Sequence, residues 1–471
     1  MRCALARPRV VHHVARHRES HTSHRVSHVT RVTADQPSTS GATMSQTGDG
    51  PRVFCISDIH TDFPENMQWC NGLSDVNFLK DAIILGGDVS DDMQVLEQTL
   101  RIFKSKFKHV FFTPGNHDLW HKGKGQSKSD DEAKNDEGTD EEPVIDSMEK
   151  LERVLRLCDT CGVLTKPTLL KGTPGVWVVP VLAWHHSSFD TEPDIPDDVK
   201  VVPPPEKVMS DFRLCKWPSP LNDLNESVAR ALDDMNDTRQ EWKVFLDALE
   251  NGTPEERNAE ILSFSHFLPR LELCPEKRML FYPNLPKAVG SDFILPRIEK
   301  LASLGVQSGQ GEGLESPEGK KPKVQNPKAN NPALRKHVHI FGHTHFGWDQ
   351  TLENIRYVQA PVSYPHEWKQ RPGSLTVGPD SRGVEFDLSP EVTGETDDIV
   401  RVMEPLCIWD AQKSSGSGGE TDHMNGDSSD AINFGFVQEM RARWSDHYKT
   451  NPREPDNTEL AWWVKGGRKS S

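Results

Sequence analysis

Seven short apolar runs constrain the folding of this chain more than any other feature. At 53–57, 82–86, 110–113, 176–182, 261–264, 338–341 and 356–359 the sequence is rich in β-branched and aromatic residues, which predicts short, buried strands. Between them lie stretches with helical spacing. Leu96, Leu100, Phe103 and Phe107 repeat at steps of four, three and four, and Met148, Leu151, Leu155 and Cys158 at three, four and three. That period lays one apolar stripe along a helix. A longer helical stretch carries Val228, Leu232, Met235, Trp242, Phe245 and Leu249. Strands alternating with helices predict a layered α/β domain, with reactive residues on the loops that leave the strand ends.

Those loops carry chemistry. Asp58 and His60 follow the first run; in an extended backbone, residues two apart point the same way, so both side chains would reach one ion. Gly86, Gly87 and Asp88 follow the second, where glycine permits a tight turn and the carboxylate is presented at the strand end. Gly115, Asn116, His117 and Asp118 follow the third, and His266, then Gly342, His343, Thr344 and His345, follow later ones. Singly, each has an ordinary explanation, such as a helix cap or a core histidine. Together they supply two Asp, four His and one Asn on successive loops. Such mixed imidazole, carboxylate and amide donors suit divalent transition ions such as Mn, Fe or Zn.

Composition narrows the partners. Against 55 basic residues stand 71 acidic ones, a formal charge of −16, which repels a phosphate backbone and argues against nucleic acid. Mean hydropathy is −0.64, and no run approaches the ~18 apolar residues of a membrane span, so no membrane partner is expected. Nothing in the sequence names a protein partner. Eight cysteines in 471 residues fall short of a disulfide framework and fit a reduced compartment. Cys158 and Cys161 have redox or zinc spacing, but at the end of an apolar-periodic helix they read as core residues. The first 31 residues hold seven arginines, six histidines and one acid, Glu19. That composition fits either an organelle transit peptide or an over-extended gene start ahead of Met44. The expected location is cytoplasmic, or chloroplast or mitochondrion if the segment is a transit peptide.

The ordered blocks DIH, GGD, GNHD, SH and GHTH resemble the calcineurin-like metallophosphoesterase superfamily over roughly residues 53–361. The segments around His266 to Arg270 and His345 to Trp348 are also similar to uncharacterised superfamily members from plants and algae. The resemblance implies a four-layer α/β sandwich of two mixed β-sheets flanked by helices, with two metal ions at the sheet ends. Carried over by motif, Asp58, His60 and His345 would hold one ion, Asn116, His266 and His343 the other, and Asp88 would bridge them. The implied reaction is hydrolysis of a small-molecule phosphate monoester or diester by hydroxide between the ions. His117 would be the general acid, and Asp91 would keep it protonated and oriented. Capping the helix that follows is the ordinary alternative for Asp91, and the two roles can coexist. Asp118 is expected to orient its loop rather than touch a metal.

The expected organisation is an N-terminal extension at 1–50, a catalytic domain at 51–365 and a C-terminal extension at 366–471. Polar, charged sequence near 122–142 and 305–336 reads as disordered insertions, and 412–430 as low complexity. Trp444, Tyr448, Trp462 and Trp463 of the tail should pack on the core. Arg270, and less so Arg278, could clamp a substrate phosphate. Trp184, His185 and His186 would wall the pocket or join the core. Other functions remain open. A protein phosphatase would carry Arg and Glu where this chain has Asp92 and Asp118, a nuclease would need a local basic groove, and a non-catalytic scaffold would be expected to have lost ligands.

Overall fold

The computed structural model describes residues 51–121, 146–172, 175–304, 336–378, 404–411 and 435–465. The N-terminal extension, the stretch 122–142, the low-complexity stretch 412–430, and all of 305–336 except Lys336 lie outside the described residues.

Twelve strands are present among the described residues: β1 (Arg52–Ile56), β2 (Ala82–Leu85), β3 (His109–Phe112), β4 (Thr168–Leu170), β5 (Val176–Pro180), β6 (Glu260–Phe264), β7 (His337–Ile340), β8 (Trp348–Leu352), β9 (Ile355–Gln359), β10 (Val377–Gly378), β11 (Leu406–Asp410) and β12 (Arg441–Ala442). They form a four-stranded sheet in the order β11-β1-β2-β3, a six-stranded sheet in the order β4-β5-β6-β7-β9-β8, and a small β10-β12 pair. In the first sheet β1, β2 and β3 are parallel and β11 is antiparallel. In the second the central four are parallel and the two edge strands antiparallel.

Period-two alternation sorts the side chains into layers. Val53, Cys55, Ala82 and Ile84 meet Val178, Leu262, Phe264 and Ile340 in one buried cluster between the sheets. Phe54, Ile56, Ile83 and Leu85 face the opposite way, onto helices Met93–Lys106 and Ser147–Cys161. Trp177, Val179 and Ile261 face the other helical layer. The α/β four-layer sandwich of two mixed sheets is therefore borne out.

Local sequence explains the helices. In Met93–Lys106 the buried residues include Leu96, Leu100 and Phe103, and Asp92, not Asp91, caps its N-terminus by accepting from Gln94 N and Val95 N. Ser147–Cys161 starts at Asp146, whose side chain accepts from Glu149 N, and stops at Gly162 with φ +68°. Its Cys158 and Cys161 are buried free thiols, and burial pushes both pKa values up. The longer stretch is two helices, Ser227–Thr238 and Gln240–Asn251, separated at Arg239, whose extended backbone (ψ 127°) accompanies a guanidinium bond to Thr165 O at 2.8 Å.

The described residues fall in one compact unit. The segment after residue 365 takes part in it: β11 lies beside β1, Trp444 and Tyr448 join the main hydrophobic cluster, and Trp463 Nε1 donates to Met279 O at 3.1 Å. Trp462 stays 62% exposed. No described helix is long and apolar enough to cross a membrane.

Candidate metal centre and active-site cavity

Parallel pairing brings the C-terminal ends of β1, β2, β3, β6 and β7 to one edge of the sandwich. The loops leaving them are tightly turned. Asp58 (φ +52°), His60 (+47°), Asp88 (+55°), His343 (+77°) and His345 (+53°) all occupy the left-handed region. Each such conformation costs about 1–3 kcal/mol and persists only where its surroundings fix it. The extended geometry expected for the Asp58–His60 pair is thus corrected: the side chains converge through strained turns rather than through strand alternation.

Hydrogen bonds supply the constraint. Asp58 N donates to Gly87 O at 3.0 Å and His60 N to Asp88 O at 2.9 Å. Asn66 Nδ2 reaches the carbonyls of Ile59 and Ser363 at 2.7 and 2.9 Å. Asp118 accepts from four backbone amides, Asp88 and Gly115 at 2.8 Å and Val89 and Ser90 at 3.0 Å. It orients its loop, as the sequence suggested. Gly87 combines φ +87° with a close approach: a Cβ there would lie 2.5 Å from His266 Nδ1.

Asp58, His60 and His345 make one possible metal-holding set, Asp88, His266 and His343 a second, and His60, Asp88 and His117 a third, so Asp88 is common to two of the three. His60 Nε2 and His345 Nε2 are 3.0 Å apart, and His345 Nε2 is 3.5 Å from Asp58 Oδ1. In the second group His266 Nε2 lies 3.2 Å from His343 Nδ1 and 3.0 Å from Asn116 Oδ1. Asp88 Oδ1 is 3.4 Å from His266 Nε2, and its Oδ2 is 3.9 Å from His60 Nε2. All seven expected ligands are therefore in one cluster.

The outward nitrogens fix the tautomers. His266 Nδ1 donates to Gly86 O at 2.8 Å, His343 Nε2 to Ala288 O at 2.9 Å, and His345 Nδ1 to Glu367 Oε2 at 2.6 Å. A carbonyl or carboxylate can only accept, so in each ring, when neutral, the lone pair of the other nitrogen points into the cluster. Burial makes charge costly there. It pushes His60 and His266 well below their ordinary range and His343 to about 3, reinforced by the neighbouring imidazoles. It also raises Asp58, against His345 and Ser57, and raises Asp88 further, helped by Asp118 and Asp58. For His345 burial is outweighed by Glu367 and Asp58, and the pKa rises. Converging lone pairs beside buried carboxylates are a donor set that fits divalent cations.

A cavity of about 290 Å³ opens onto this cluster, lined by Asp88, Asn116, His117, Asp211, His345 and Tyr364 among others. His117 stacks on Trp120 at 3.5 Å between ring centroids, and its Nε2 lies 3.2 Å from Tyr364 Oη and 3.8 Å from Asp88 Oδ2. Burial and the surrounding imidazoles lower its pKa well below normal. With no anion bound beside it, those neighbours favour the neutral ring. Asp91 presents its carbonyl to Lys150 Nζ at 2.6 Å.

Arg270 does not line the cavity; its guanidinium is paired with Glu272 at 2.9 Å and Glu353 at 2.8 Å. In this arrangement those carboxylates occupy the guanidinium donors. Arg278 pairs with Glu454 at 3.3 Å. Trp184 is fully buried core, and His186 Nε2 lies 3.1 Å from Asp292. His185 sits behind the cavity, 3.7 Å from Asp211 Oδ2.

Three residues were missed. Glu367 orients His345, Tyr364 meets His117, and Asp211 Oδ1 accepts from Asn116 Nδ2 at 2.8 Å and Trp120 Nε1 at 2.6 Å. Burial raises Asp211 to about 6 against those two bonds. None stands in a motif; the only signal was the short polar TyrProHisGlu run just after β9.

Residues 51–203 match the model of the calcineurin-like phosphoesterase family. That span holds Asp58, His60, Asp88, Asn116 and His117. The acyl-carrier-protein phosphodiesterase PptH of Mycobacterium tuberculosis is 25% identical over 126 residues, 26% of this chain and 33% of that protein. The chain thus matches about a third of the length of this curated relative. The crystal structure of phosphopantetheinyl hydrolase (PptH) from Mycobacterium tuberculosis is similar with a TM-score of 0.44 and 18% identity, covering 68% of this chain and 92% of that one.

Proposed function

We propose that this chain, whose residues 51–203 match the calcineurin-like phosphoesterase family, hydrolyses small-molecule phosphate esters with the aid of two divalent metal ions. The observation that carries this reading is one carboxylate, Asp88, whose two oxygens lie 3.9 Å from His60 Nε2 and 3.4 Å from His266 Nε2 and so stand between two groups of imidazole donors. Asp58, His60 and His345 would hold one ion, and Asn116, His266 and His343 the other, with Asp88 common to both. When bound, such a pair supplies Lewis-acid polarisation of the phosphate and lowers the pKa of water.

The chain's own residues do the rest. No Lys or Arg is among the described residues lining the cavity, so ester charge would be met by the metal centre rather than by a guanidinium clamp. A phosphate anion beside His117 favours the imidazolium form, which supports proton delivery from this ring to the departing oxygen. Tyr364 and Trp120 hold the ring on the cavity wall. Asp211 holds Asn116 Nδ2, leaving its Oδ1 turned toward His266 and His343. The curated relative is named a phosphodiesterase, which makes diesters the first substrates to test.

The test is manganese-dependent hydrolysis of p-nitrophenyl phosphate and bis(p-nitrophenyl) phosphate by the full chain and by Asp88→Asn, with metal content measured on both. We expect activity in the wild type, abolished by chelation and reduced at least ~10³-fold in the variant. A wild type that binds no metal overturns the reading.

A further inference from the structure

A second cavity, of about 200 Å³, adjoins the candidate site. Its walls include Leu280, Phe281, Leu285, Phe346, Trp444 and Trp463. These come from three parts of the chain: the segment after β6, the loop after β7, and the C-terminal segment. Leu285 lines both cavities. It opens the short turn Leu285–Ala288, whose far end receives the His343 Nε2 bond. Phe346 directly follows His345 in sequence, so their Cα atoms are about 3.8 Å apart. Arg371 lies over the Phe346 ring at 5.0 Å and pairs with Glu367, the carboxylate behind His345. The second cavity is therefore built on the same loops that position two of the imidazoles.

Its chemistry differs from that of the first. Where the metal-facing cavity is lined by carboxylate, imidazole and amide groups, this one is walled mainly by aromatic and aliphatic side chains. Phe281 is 53% exposed at its rim, a cost in water that a bound apolar group would remove. A cavity of this size takes one aromatic ring or a short alkyl chain.

We propose that this cavity receives an apolar arm of the substrate, an alkyl or aryl group attached to the phosphate held at the neighbouring site. The inference rests on the phosphoesterase reading and names its substrate class: a phosphodiester with one apolar substituent. The polar cavity takes the phosphate, and the apolar one reads what it carries.

The experiment compares methyl, n-hexyl and phenyl p-nitrophenyl phosphates with the full chain, all releasing the same phenol. The hexyl or phenyl ester should exceed the methyl ester in kcat/KM by at least ~30-fold, mainly through KM, because each buried methylene favours binding by about fourfold. Preference for hexyl over phenyl identifies an alkyl-bearing substrate, and the reverse an aryl one. In Phe281→Asp and Trp463→Ser the ratio should fall toward one, with circular dichroism and thermal melting confirming the fold. Equal kcat/KM for all three esters, or a ratio untouched by both variants, overturns the inference while leaving the phosphoesterase intact. If no ester is cleaved, tryptophan fluorescence titrated with hexylphosphonate and methylphosphonate reads the cavity directly. Saturation by hexylphosphonate alone, lost in Phe281→Asp, sustains it, and no difference between the two overturns it.

Discussion

The Nε2 atoms of His60 and His345 lie 3.0 Å apart although 285 positions separate the residues in sequence. With His345 Nδ1 committed to Glu367, the His345 lone pair faces the His60 ring across a gap suited to a shared cation. His60 Nδ1 has no hydrogen-bond partner among the described residues, and in the neutral tautomer that keeps the proton there both Nε2 lone pairs face one another across a gap that favours a shared cation.

Glu367 should therefore tune the metal centre without touching it. Glu367→Ala removes the acceptor that fixes the His345 tautomer, and we expect metal affinity to fall by ~10–100-fold. A chelator-competition titration reads this directly; unchanged affinity would show that His345 needs no such partner.

His117 should matter in proportion to the need of the leaving group for a proton. We expect His117→Ala to slow alkyl phosphate hydrolysis by ~10²–10⁴-fold but p-nitrophenyl esters far less, because that phenolate departs unprotonated. Equal losses on both would assign the ring to binding rather than to proton transfer.

Asp118 should be a residue of stability. Its carboxylate takes four backbone amides of the loops after β2 and β3, and Asp118→Ala leaves buried donors unpaired. A loss of at least ~3 kcal/mol in denaturant unfolding is expected, since each orphaned group costs about 1–3 kcal/mol.

Glu260 sets a pH dependence away from the site. Burial raises its pKa from 4.5 to about 7, opposed by the Trp409 indole and by Lys336. The folded state thus keeps a proton that the unfolded chain has released between those values, so stability falls as pH rises from 4.5 to about 7. The penalty, on the order of 3 kcal/mol above pH 7, should vanish in Glu260→Gln. Melting curves of the two proteins across pH 5–8 that run parallel would refute this.

Much of the protein could be read from its sequence. The seven apolar runs became strands because their β-branched and aromatic residues pack on both faces of a buried sheet, and the seven donors stand in loops where glycine and strand ends mark a turn. Local pattern determines such features because they depend on neighbours in sequence. Only tertiary structure decided the rest. β11 becomes an edge strand because β1 offers it unpaired backbone groups. Arg270 pairs with Glu353, 83 residues away, because the fold brings the two together. Glu367, Tyr364 and Asp211 enter the site because packing brings their loops there, and the left-handed turns at Asp58, His60, Asp88, His343 and His345 persist because hydrogen bonds from distant strands hold them. A carboxylate's partner is set by what lies within about 3 Å of it, and for these residues that distance is closed by the fold and not by the chain.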